Sequence, residues 1–93
     1  MKNETVEDTL NADDIREKTK VNRHTIFVNL ISLTDTMIKE ASHNGEFGVC
    51  ANWSKAPRGV RDNLAEYYDE RGYNVTLTFM HSYISWEKEK DDR

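Results

Sequence analysis

At 93 residues, with 37% hydrophobic residues and 32% charged ones, the chain is long enough for one domain with a modest core. Its net charge of −4 argues against a broad nucleic-acid footprint. Cys50 is the single cysteine, which excludes an internal disulfide and a thiolate zinc site.

Residues 1–10 are polar and acidic and are expected to be flexible. They hold no apolar stretch of the kind a secretion signal needs, and nothing in the chain approaches the ~18 apolar residues of a membrane span. The protein is therefore expected to be soluble and intracellular. Asn3-Glu4-Thr5, Asn52-Trp53-Ser54 and Asn74-Val75-Thr76 fit the glycosylation pattern, and without a secretion signal they are read as chance matches.

Residues 11–86 are read as one domain. Asn11 can cap a helix, with Asp14 placed three residues on as in a capping box. From Ala12 to His24 the strong apolar residues are only Ile15 and Val21, so this helical stretch is poorly anchored. It either runs on into the next segment or breaks near Val21-Asn22. The segment from Thr25 to Gly45 holds the densest apolar run and organises the rest. At ~100 degrees per residue, Ile26, Phe27, Leu30, Ile31, Leu33, Met37, Ile38 and Ala41 fall within an arc of roughly 160 degrees. A surface helix needs about 100 degrees. The extra width predicts a second contact surface, assigned to Phe27, Val28 and Ile31 as an oligomer interface. Asn44-Gly45 is the stop signal, because Gly accepts a left-handed backbone.

Beyond Gly45 the period changes to two. Phe47, Val49, Ala51 and Trp53 alternate with Gly48, Cys50 and Asn52, which predicts a strand with one buried face. Ser54 to Gly59 is a loop, with Pro57 suited to the first turn of a helix. Val60, Leu64, Tyr67 and Tyr68 form that helix's apolar face, and Gly72 closes it with Tyr73 folding back on the last turn. In Asn74 to Trp86, Val75, Leu77 and Phe79 share one parity while Met80, Ile84 and Trp86 share the other. The switch demands a hairpin turn or a bulge, placed here around His81-Ser82. Residues 87–93 are a charged, solvated tail. The fold class is α+β: a small two-layer domain with a long N-terminal helix, a strand-helix-strand unit and a third strand if the chain reverses. The two strands of that unit are expected to run parallel, with both helices on one sheet face.

Candidate chemistry is sparse. Asp14 to Ile26 has the cadence of a helix-turn-helix within residues 13–31, but Arg16 and Lys20 replace its small packing residue and its turn glycine. A DNA-binding regulator is the runner-up function for this reason. His24, His43 and His81 lack metal-ligand spacing, and Cys50 has no visible base or oxyanion partner, so no metal, no cofactor and no enzyme activity are expected. Lys55, Arg58 and Arg61 cluster where the first strand gives way to the second helix. Cations at a helix N-terminus suit an anion, either a nucleotide phosphate or a partner's carboxylates. Trp53, Tyr67 or Tyr68 could stack on a base there if exposed.

Three pieces of sequence together resemble a broad group of short accessory proteins of tailed bacteriophages: Asn11 to Arg16; Ile38-Lys39-Glu40-Ala41 followed by Gly45-Glu46-Phe47; and Leu64 through Gly72-Tyr73-Asn74-Val75 to the closing Ile84-Ser85-Trp86. The resemblance spans most of the chain and carries no catalytic residue. It implies a viral accessory role in host takeover or counter-defence, or a place as a minor virion component. The expected function is a non-enzymatic, homo-oligomeric binding protein that sequesters or inhibits a host protein or an anionic small molecule.

Overall fold

The long helix forms as the sequence directs. In the computed structural model, which describes residues 11–88, α1 runs without interruption from Ala12 to His43. The polar arm and the apolar segment are therefore one element, about 48 Å long at ~1.5 Å per residue. Asn11 caps it: its side-chain oxygen accepts from the Asp13 N–H at 2.9 Å, and Asp13 and Asp14 favour the positive end of the helix dipole. The bond goes to Asp13 rather than to Asp14, so the cap is a simple Asn cap rather than a capping box. At the far end Gly45 takes φ +86. The Glu46 N–H donates to the Ala41 carbonyl at 2.8 Å and the Gly45 N–H to the Ser42 carbonyl at 3.0 Å, a Schellman closure.

The remaining elements are β1 (Gly48–Ala51), α2 (Val60–Asp69), β2 (Asn74–Leu77) and β3 (Ser82–Ser85). The α+β class with a long N-terminal helix, a second helix and a small sheet is as expected. The sheet is three-stranded with order β1-β3-β2. Val49 and Val75 flank Ile84 from either side, and Cys50 and Thr76 flank Tyr83. Both pairings are antiparallel, so β1 and β2 run parallel as predicted but are not neighbours. The last strand inserts between them and makes a split strand-helix-strand unit.

Two further expectations need correction. The reversal before β3 sits at Phe79-Met80, not at His81-Ser82. The Thr78 N–H donates to the His81 carbonyl at 2.8 Å, and the His81 N–H donates to the Thr78 hydroxyl at 3.0 Å, which encloses a two-residue loop. Among the described residues no non-glycine residue has positive φ, so this tip does not use the mirror-image turns that two-residue hairpins favour. Its closure comes from the Thr78 side chain instead. Pro57 also lies outside the second helix. That helix starts at Val60, with Gly59 as its cap at φ +89. Gly72 and Tyr73 close α2 as expected: the Tyr73 N–H reaches the Tyr68 carbonyl at 3.1 Å, and the Tyr73 ring packs edge-on to Tyr68.

The core lies between the helices and one sheet face. Ile38, Ala51, Trp53, Val60, Leu64, Tyr68 and Ile84 are buried together. Val49, Val75, Leu77 and Trp86 close the cluster from the same sheet face. Cys50, Thr76 and Tyr83 are exposed on the other face. Phe47, predicted to be buried, is 55% exposed because it precedes the strand and meets β3 only through its carbonyl, which accepts from Trp86. The expectations for residues 1–10 and for 89–93 of the tail lie outside the described residues.

Candidate functional site

Polar side chains inside the core fix how α1 sits on the sheet. Trp53 Nε1 donates to the Thr34 hydroxyl at 3.1 Å, and both residues are buried. Tyr68 stacks on Trp53 with ring centres 6.0 Å apart, and its hydroxyl donates to the Asp35 carboxylate at 2.7 Å. Burial, followed by the hydrogen bond to Asp35, pushes the Tyr68 phenol well above its ordinary range. These contacts dispose of base stacking by Trp53 or Tyr68: both rings are interior. Tyr67 is half-buried, edge-on to Phe27 at 6.0 Å and beneath the Arg71 guanidinium at 3.5 Å.

The three cations take different roles. Arg61 lies on α2 and donates through one guanidinium nitrogen to the Thr78 and His81 carbonyls, so it clamps the hairpin. Arg58 is exposed, and its backbone carbonyl accepts from the Arg23 guanidinium of α1. Lys55 is exposed in the loop ahead of it. An anion meeting this cluster would thus face Lys55 and Arg58, with Arg61 already committed to backbone oxygens. The predicted interface residues also separate. Phe27 and Ile31 pack against the chain's own core, where the wide apolar stripe is largely spent. Val28 is 46% exposed, and Leu33, assigned by periodicity to the buried arc, is 62% exposed.

The helix-turn-helix expectation fails on geometry. A recognition helix must cross its neighbour after a turn, and residues 13–31 form one unbroken helix. Every position from Ala12 to Asn22 is exposed, so this first third of α1 extends beyond the core of the described residues. Along it, Arg16 pairs with Asp13 at 2.6 Å, an exposed contact that contributes little.

Two features escaped the sequence reading. One is a groove of about 510 Å³ between α1 and α2. Phe27, Val60 and Tyr67 supply its apolar lining, Arg23 and His24 one wall, and Glu66 and Glu70 the other. The recurrence of Asn63, Glu66 and Glu70 at helical spacing was a readable sign of this second face of α2. The other is the hairpin tip itself, where Phe79 is 90% exposed and Met80 56%. Parity placed Phe79 with the buried set; only the position of the turn removes it.

Among the described residues, no group of three His, Cys, Asp or Glu side chains is placed to hold a metal ion. No described helix is long and apolar enough to cross a membrane. No protein family, no characterised protein and no solved structure matches the chain.

Proposed function

We propose that this chain is a non-enzymatic, self-associating binding protein of the kind tailed bacteriophages use in host takeover or counter-defence, acting in the host cytoplasm to sequester or inhibit a host component. The observation that carries the binding part is the exposed first third of α1. A helix of about eleven residues on its own is marginal in water, yet here it continues a stable helix and presents Ile15 and Val21 at the surface, outside the core cluster of the described residues. Such a rigid, uncovered arm is suited to lie against another molecule. The viral and host terms rest on the pattern of residues given above, Asn11 to Arg16 through Ile84-Ser85-Trp86. The exposed Lys55 and Arg58 favour a target that carries carboxylates or phosphates.

The test is capture from a bacterial host lysate, with mass spectrometry of proteins and of co-purified small molecules. The wild-type chain should retain a reproducible host component, and Ile15→Glu/Val21→Glu should lose it while keeping its circular dichroism spectrum. Equal capture by both would remove the arm from the function. Consumption of a retained small molecule by the pure protein would replace binding with catalysis.

A further inference from the structure

The surroundings of the hairpin tip and the α2 wall of the groove between the helices carry opposite charge. Phe79 and Met80 stand out from a two-residue loop that cannot relax back onto the domain. Thr78 and His81 close it through backbone and hydroxyl bonds, and the Arg61 guanidinium holds both of their carbonyls from below. The tip is thus an apolar wedge, fixed in place, with cations at its base and in the adjoining loop at Arg58 and Lys55. The groove has an apolar floor, two carboxylates, Glu66 and Glu70, along the α2 wall, and Arg23 and His24 along the α1 wall, where the Arg23 guanidinium already donates to the Arg58 carbonyl. Desolvated aromatic and Met anchors ringed by polar contacts are the usual composition of an interface centre.

We propose that the groove between α1 and α2 receives the Phe79-Met80 tip of a second copy of this chain. Phe79 fills the space over Phe27, Val60 and Tyr67, and Lys55 and Arg58 of one copy face Glu66 and Glu70 of the other. Placement favours a closed pair. The groove begins at Val60, and the tip is tethered at the next residue, Arg61. A two-fold axis near the start of α2 therefore lets each copy give its tip and take the other's, so that the same surfaces are used on both sides. This names the contact for the self-association in the function proposed above and rests on that part of it.

Sedimentation equilibrium of the full chain at micromolar concentration tests the pairing. The wild type should sediment as a dimer. Phe79→Asp, a change at an exposed position, should weaken dimerisation by ~30-fold or more, the scale of an interface hot spot, with an unchanged circular dichroism spectrum. Glu66→Lys/Glu70→Lys and Lys55→Glu/Arg58→Glu should each weaken self-association, and mixing the two variants should restore a dimer. A wild type that stays monomeric throughout, or a dimer indifferent to Phe79→Asp, overturns the proposal. So does a monomer that binds phosphatidylserine vesicles through Phe79, which would assign the tip to a lipid surface. A monomer that still captures a host component through Ile15 and Val21 defeats this inference and leaves the binding function standing.

Discussion

Three polar side chains in the interior set the residue-scale expectations. Thr34 is present in α1 to take the Trp53 indole proton. Thr34→Val keeps the shape but leaves a buried N–H unpaired, so denaturant unfolding should show a loss of about 1–3 kcal/mol. Tyr68 gives a pH signature. Its folded pKa is raised above the ordinary 10.0, so the stability it contributes is fully present below about pH 10 and drains away as pH climbs beyond it. Ultraviolet titration of phenolate absorbance should find Tyr68 silent until the fold opens, and Tyr68→Phe should abolish that lag. Ser82 is the reverse case. Its hydroxyl is buried and, like Arg61 Nε, has no hydrogen-bond partner among the described residues. An unpaired buried hydroxyl costs free energy, so Ser82→Ala should leave the melting temperature unchanged or raise it, whereas a serine bonded in the core would lower it on removal.

Among elements, α1 divides into a longer part that the fold needs and a first third that it does not. Thr34, Ile38 and Ala41 are buried, while Ala12 to Asn22 are exposed throughout. Amide exchange should therefore be slow around Thr34 to Ala41 and fast along the arm. Ile15→Glu/Val21→Glu should shift stability by no more than about 0.5 kcal/mol, as for surface changes elsewhere; a larger loss would mean the arm is packed after all. The apolar stripe, the two glycine-closed helix ends and the buried parity of β1 were all legible, because each follows from local periodicity or from one residue's backbone freedom. The division of α1 was half legible: Ile15 and Val21 showed weak anchoring, but continuity through Val21-Asn22 depends on there being no competing contact. The tip was misplaced because no turn-forming pair marks it. Phe79-Met80 has neither Gly nor Asn, and the Thr78 hydroxyl substitutes for them through contacts that have no sequence signature.

At the scale of the whole molecule, direction was easier to read than adjacency. The strand-helix-strand pattern implied that β1 and β2 run the same way, and they do, but nothing local states that the last strand would enter between them. That depends on which strand offers both edges, a property of the assembled sheet. The basic cluster was legible as a composition and not as a site, since Arg61 is drawn to the hairpin carbonyls and only Lys55 and Arg58 stay free for a partner. The central place of β3 has a consequence for how the protein is made. Neither β1 nor β2 has a strand neighbour among the described residues until Ser82–Ser85 exists, so a growing chain on the ribosome carries both helices without this sheet until that strand has been made. A chain stopped before Ser82 should show helical circular dichroism, lack cooperative unfolding and be degraded quickly in cells. Restoring Ser82 through Trp86 as a separate peptide should nucleate both ladders at once. Sheet formation then waits on β3, and mutations in β3 should lower yield more than their effect on the finished protein's stability would suggest.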